Sequence, residues 1–205
     1  MRVFADLQLH SKYALATSRD MDLEHLAEGG RRKGLNLLGT GDFTHPKWLS
    51  EIKSKLVPID GSGLYQYRNM NWMLSGEVST VYEQGGRKRK VHHLVYAHDF
   101  EVVDQVSEVL GKYGKLSSDG RPILTGIDSS GLVESLTSIS DRVVVIPAHA
   151  WTPWFGALGS KSGFDTLAEC YGDQAHKIFA LETGLSCYDE LTDVLTESGW
   201  KRFSE

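Results

Sequence analysis

The sequence predicts an α/β fold built of parallel βαβ units, and three observations carry that prediction. Short apolar runs alternate with longer amphipathic segments along the 205 residues. Several runs are apolar at consecutive positions, as in strands buried on both faces of a parallel sheet. Helix boundary signals, an acidic first turn and a glycine stop, punctuate the segments between them. Strands alternating with helices in this way close into a barrel or spread into a doubly wound sheet.

The elements follow in order. Val3–Leu9 is the first strand. Asp22–Lys33 is a helix: it opens on an acidic turn, stops at Gly34, and carries Arg31, Arg32 and Lys33 in its last turn, where cations complement the dipole. Leu35–Thr40 is the second strand and Trp72–Tyr82 the third, with Tyr65, Tyr67, Trp72 and Tyr82 as core or sheet-face residues. Gly85-Gly86 turns the chain, with Arg87 to Lys90 as a solvated basic strip in that hairpin turn, into a fourth strand at Lys90–Tyr96. Phe100–Leu110 and Ser129–Ile139 are helical, Arg142–Ala148 is a strand, Phe164–Ala175 a helix and Lys177–Glu182 a strand. Asp189–Glu197 makes a last helix before Gly199. The Gly/Ser patches at 58–63, 117–120 and 156–163 are loops within one domain, and no repeat or low-complexity tract interrupts it.

Composition narrows the function. Hydrophobic residues at 40% and charged residues at 24% are globular values, and a chain of this size buries a core without staples. No apolar run approaches the ~20 residues of a membrane span. The start, Met1 to Asp6, meets a carboxylate too early for a signal peptide. Cys170 and Cys187 suffice neither for a disulfide framework nor for a four-cysteine zinc knuckle; reduced thiols and a cytoplasmic location are the expectation. A net charge of −5 argues against wrapping nucleic acid by general basicity, although the local basic strips remain. No P-loop is present, which excludes a nucleotide-driven motor.

The potential metal ligands are concentrated. Asp6, Gln8 and His10 alternate at the end of the first strand, so all three face one side. Asp42 and His45 follow the second strand, Glu77 lies in the third, His92 and His93 in the fourth, and His149 ends the fifth. In parallel α/β folds, sites gather at the carboxyl ends of strands. His93 is a weaker candidate than His92, because consecutive strand residues face opposite ways. Imidazoles and carboxylates without thiolates suit zinc, manganese or iron. Several such groups from different strands suggest a pair of ions ~3.5–4 Å apart, the usual apparatus for phosphate-ester hydrolysis. Amide hydrolysis and deamination also use such sites, but neither the His-Glu-x-x-His helix nor the Pro-Cys-x-x-Cys signature occurs.

These residues form longer motifs. Asp6-Leu7-Gln8-Leu9-His10-Ser11, the run from Gly39 to Pro46 and the strands of Glu77 and His92 resemble the polymerase and histidinol phosphatase (PHP) metal-dependent phosphoesterase domain. The runs Ala16–Met21, Ser118–Leu124, Ile146–Phe155, Gly159–Asp165 and Ala180–Ser186 narrow the resemblance to the endonuclease Q family, over about Val3 to Ser186. The resemblance implies a distorted (β/α)7 PHP-type barrel, in which residues 1–186 form the phosphoesterase domain and 187–205 a divergent tail. It also implies two or more divalent ions (zinc, manganese or magnesium) and cleavage of DNA 5′ of uracil, hypoxanthine, xanthine or abasic sites. By position, His10, Glu77, His92 and His149 stand at family ligands, with Glu77 bridging and Glu77 and His149 catalytic. Asp42 and His45 fall in the second motif, where either one reaches a metal.

Two departures accompany the match. Gln8 stands where the family has His, and Gln is a poorer zinc ligand. After Ser186 the family continues into a strand with an Asp-Ala-His metal motif and a zinc module, whereas this sequence reads Cys187-Tyr188-Asp189 and reaches Glu205. The expected barrel is therefore incomplete at its C-terminal strand: a shortened member, a frame-shifted remnant or a piece of a longer system. Trp151 and Trp154 either pack over the barrel mouth or wall a flipped base. Lys161, in a glycine loop, either meets phosphate or is simply exposed, and Arg87 and Lys88 join them as substrate-binding candidates. Three functions follow: an endonuclease for deaminated DNA, weak or inactive alone; a phosphatase of a small phosphate monoester; or a non-catalytic PHP remnant.

Overall fold

A computed structural model describes residues 2–184 of the chain. The expected helix at 189–197, Cys187 and the 187–205 tail lie outside the described residues. The first strand, β1 (Ala5–Asp6), is short, and helix α1 (Leu23–Arg32) begins where Asp22 accepts a hydrogen bond from the His25 amide. Its last turn carries Arg31 and Arg32, as expected from the dipole. Strand β2 (Leu37–Gly39) leads into a helix absent from the sequence reading, α2 (Pro46–Lys55). Its signals are proline in the first turn and an apolar pair, Trp48 and Ile52, one turn apart. Next come β3 (Val57–Ile59), β4 (Leu64–Tyr67), β5 (Met70–Gln84) and β6 (Arg87–Ala97). The chain continues through α3 (Phe100–Leu110), β7 (Ile123–Thr125), α4 (Ser129–Thr137) and β8 (Val144–Pro147).

The expected helix at 164–175 is broken. It becomes a short α5 (Leu167–Tyr171) followed by a 3₁₀ turn (Gly172–Lys177), because Gly172 takes φ +55° between them. The expected strand at 177–182 is not one. That segment runs alongside the end of β8, tied by Glu182 N–H to the Pro147 carbonyl (3.0 Å) and Ala150 N–H to the Glu182 carbonyl (2.8 Å).

The architecture is α/β with an open, mixed sheet: the hairpin expected at Gly85-Gly86 is present, but parallel βαβ units do not account for the rest. Strands β1 and β2, β2 and β5, and β5 and β7 are parallel. The pairs β3–β4, β4–β5, β5–β6 and β6–β8 are antiparallel. For β4–β5 and β5–β6 the reason is loop length. Gly85 and Gly86 (φ +61° and +69°), and Arg68 and Asn69 (φ +53° and +56°), each form a two-residue turn with both residues left-handed. Such turns join antiparallel neighbours, whereas a parallel pair needs a crossover of about a dozen residues or more.

Alternation along β5 and β6 assigns the two faces of this long hairpin. Val91, Val95 and Ala97 enter the main core, packed with Trp72, Val78, Leu132 and Val133. His92, Leu94 and Tyr96 turn to the other face, where Leu94, Tyr96 and Ala148 form a smaller cluster flanked by Leu7, Met73 and Ile146. Glu77 pairs with Leu94 in the ladder, so the candidate ligands share the second face. Among the described residues, no helix is long and apolar enough to cross a membrane.

Candidate metal centre

Glu77 is the hub of the site. It sits mid-strand in β5, only 2% exposed, and its two oxygens face different imidazoles. Oε2 lies 3.0 Å from His10 Nε2. Oε1 lies 2.7 Å from His92 Nδ1 and 3.5 Å from His149 Nε2. Those two imidazole nitrogens are 3.1 Å apart, so they converge on one point beside Oε1. Glu77, His92 and His149 have the spacing of a metal-binding group. Neither buried oxygen of Glu77 makes a hydrogen bond of good geometry despite these short approaches. Donors gathered round a point rather than along hydrogen-bond lines suit a shared cation, so these residues fit a divalent metal.

The site's position departs from the strand-end expectation. Glu77 and His92 both lie mid-strand, and they meet because β5 and β6 are antiparallel, with Ser79 opposite His92. His10 and His149 lie on loops just beyond β1 and β8. His93 turns to the other face, as alternation requires. There its ring nitrogens lie 3.0 Å from Thr80 Oγ1 and 3.1 Å from the Tyr171 hydroxyl.

Each imidazole has an orienting partner. The Asp42 carboxylate is fully buried; Oδ2 accepts from the Ser11 amide (2.6 Å) and hydroxyl (2.7 Å), and Oδ1 lies 3.0 Å from His10 Nδ1. A hydrogen on His10 Nδ1 donated to Asp42 directs Nε2 at Glu77. The turn that presents Asp42 is tight: Gly41 has φ +62°, and a Cβ there would lie 2.1 Å from the Leu9 carbonyl oxygen. His149 Nδ1 lies 2.7 Å from Thr152 Oγ1, and its left-handed backbone (φ +32°) donates its N–H to the Glu182 carboxylate. His92 packs on the Phe155 ring at 4.4 Å, and its amide donates to the Phe155 carbonyl (2.8 Å).

Electrostatics follow from this geometry. Burial opposes the ionised form of Glu77, yet the imidazoles of His10, His149 and His92 hold it well below the usual carboxylate range. Burial likewise disfavours a charged His10, but Asp42 and Glu77 outweigh it and raise this imidazole to about 9. Burial pushes His92 down, partly offset by Glu77.

The remaining sequence candidates are placed as follows. His45 makes no described contact with Glu77; it precedes α2, stacks on Tyr13 at 4.6 Å, and keeps a buried Nδ1 without a partner. Trp154 is 56% exposed, with Lys90 Nζ 5.4 Å from its ring. Trp151 is half-buried in the same loop, and Lys161 is exposed farther along it. Arg87 and Lys88 are exposed at the hairpin tip, with Lys88 four positions from His92, roughly 13 Å along β6. The orienting residues Ser11, Thr152, Phe155 and Glu182 were missed as site residues. The only sequence signal for them is that each lies in a run quoted above for its family resemblance.

No protein-family model matches the sequence. An uncharacterized protein of Methanocaldococcus jannaschii is 34% identical over 149 residues, 72% of this chain and 16% of its own length. The crystal structure of a lesion-specific endonuclease from Pyrococcus furiosus superposes with a TM-score of 0.81 at 33% identity, covering 95% of this chain and 45% of the other. A structure of endonuclease Q with a 27-mer duplex, bearing an abasic lesion at the active site, matches with TM-score 0.81 and 34% identity. It covers 93% of this chain and 45% of that one. The chain thus spans less than half the length of these solved relatives and about a sixth of the curated one.

Proposed function

Over the span it shares with those structures the chain is a relative of endonuclease Q, and from that premise we propose that it is a metal-dependent phosphodiesterase domain acting on damaged DNA. The carrying observation is the convergence of three imidazoles on the two oxygens of one buried carboxylate. In this reading residues 1–186 form a PHP-type barrel domain, and 187–205 a divergent tail. His10, Glu77, His92 and His149 hold two or more divalent ions, zinc, manganese or magnesium. Glu77 would be the shared ligand, since its two carboxylate oxygens face His10 on one side and His92 and His149 on the other. Divalent metal at such a site lowers the pKa of water and neutralises charge on phosphoryl oxygens.

The chain's own residues do the rest. Asp42 and Thr152 fix which nitrogen of His10 and His149 faces the centre, and Phe155 shields one face of His92 from water. Lys88, Lys90 and His92 share one face of β6 by alternation, a cationic line from hairpin tip to centre, and the exposed Trp154 ring beside Lys90 offers a base a stacking surface. The lesions are deaminated bases and abasic sites.

The test is incubation with manganese, zinc or magnesium and three substrates: nitrophenyl phosphate, plain duplex, and duplex with one deoxyuridine, deoxyinosine or abasic site. Nicking of only the damaged duplex is expected. Phosphate release alone would replace this reading with a monoester phosphatase, and silence in all arms with a non-catalytic domain. Elemental analysis of His149→Ala and Glu77→Ala should show lost metal; unchanged content in both would remove the centre.

A further inference from the structure

Beside the centre lies a cavity lined by Ser79, His92, Asp119, Arg121, Ile123 and Phe155. Arg121 is half-buried, yet its guanidinium makes no ion pair among the described residues; its nearest hydrogen-bond partner is the Leu15 carbonyl at 3.4 Å. The carboxylate in the cavity, Asp119, turns Oδ1 to the backbone rather than to that guanidinium, accepting from the Leu15 amide (3.0 Å) and the Arg121 amide (3.2 Å). The segment is held from beneath. Gly120 N–H donates to the Tyr13 carbonyl (3.0 Å), and a Cβ on Gly120 would lie 2.4 Å from Asp42 Oδ2. The loop bearing Arg121 therefore rests directly on the carboxylate that orients His10, and its guanidinium shares a cavity with His92. A half-buried arginine that no carboxylate pairs within 4 Å among the described residues keeps its forked donors available for an oxyanion.

We propose that this cavity is a phosphodiester subsite, in which Arg121 donates to a non-bridging oxygen of a DNA backbone phosphate beside the Glu77 centre. The proposal rests on the DNA reading above and names the group that would seat the backbone. The chemistry favours a diester over a monoester. A diester carries a single negative charge, the smaller repulsion beside the Asp119 carboxylate that shares the lining with Arg121, and its ester arms suit the apolar walls of Ile123 and Phe155. A monoester approaches two charges at neutral pH and would meet the larger repulsion.

The test is calorimetric titration of the metal-loaded chain with dimethyl phosphate and methyl phosphate, alongside Arg121→Met and Arg121→Lys. Dimethyl phosphate should bind the wild-type chain, with about a tenfold loss in Arg121→Met, the scale of one charged hydrogen bond. Arg121→Lys should fall between them, since it keeps the charge without the fork. Metal content should stay unchanged in both variants. Failure of the wild type to bind dimethyl phosphate, equal binding by Arg121→Met, or tighter binding of methyl phosphate overturns the subsite. The two readings fail separately. Damaged duplex nicked with unchanged KM by Arg121→Met removes the subsite and keeps the DNA reading. Intact duplex with Arg121-dependent dimethyl phosphate binding removes the DNA reading and keeps the subsite.

Discussion

Two histidines, His10 beside Asp42 and His93 among hydroxyls, differ sharply in consequence. Asp42 spends both oxygens on His10 and Ser11, so it orients an imidazole rather than facing the Glu77 centre. Asp42→Asn should keep the fold and weaken divalent-metal binding about 10–100-fold, the usual cost of losing such an orienting partner; titration with zinc against a competing chelator measures it. His93 carries the clearest acid sensitivity. Burial pushes its folded value down to about 3, while the unfolded imidazole titrates near 6.5. Stability from His93 is therefore complete above 6.5 and lost as pH falls from 6.5 towards 3, at roughly 1 kcal/mol per pH unit. His10, raised to about 9, runs the other way: its contribution is complete below 6.5 and lost as pH rises through 9. Urea unfolding between pH 7.5 and 5 should show a shallower pH slope in His93→Gln than in the wild type, on a lower baseline. Equal slopes would contradict the assignment.

At the scale of elements, caps and close approaches decide more than propensity. Asp99 accepts from the Val102 amide at 2.8 Å and starts α3. Asp99→Ala should cost about 1 kcal/mol, read from the denaturation midpoint. Gly41→Ala is expected to cost more, because its left-handed backbone and the Leu9 carbonyl both exclude a Cβ, and metal binding should fall with it. Legibility in the sequence divides along the same lines. Helix α3 was legible to the residue, because a capping aspartate precedes a strongly periodic stretch. Helix α2 was not, since only Trp48 and Ile52 are buried and the residues before it read as a metal motif. The hydrophobic pattern located β5 and β6 and Gly85-Gly86 marked the hairpin between them, whereas the β4–β5 hairpin went unread because its turn, Arg68-Asn69, holds no glycine or proline. The meeting of His10, Glu77, His92 and His149 was legible as ligand types, whereas the roles of Thr152 and Glu182 depend on tertiary approach and have no local pattern.

For the molecule as a whole, the deciding feature is that β5 and β6 form one continuous hairpin from Leu74 to Ala97. Its consequence is kinetic. Hairpins close in about 1–10 μs and need only local contacts, whereas joining β1 or β8 to the sheet closes longer loops and is slower. Residues 74–97 should therefore nucleate folding, so Val91→Ala should chiefly slow refolding and Leu23→Ala chiefly speed unfolding in stopped-flow chevrons. Because Glu77 and His92 lie on facing strands of that nucleus, half of the candidate metal centre assembles before the chain ends arrive. A divalent ion present during refolding would then meet a two-ligand seed early, and could accelerate the docking of His10 and His149 rather than waiting for a finished pocket.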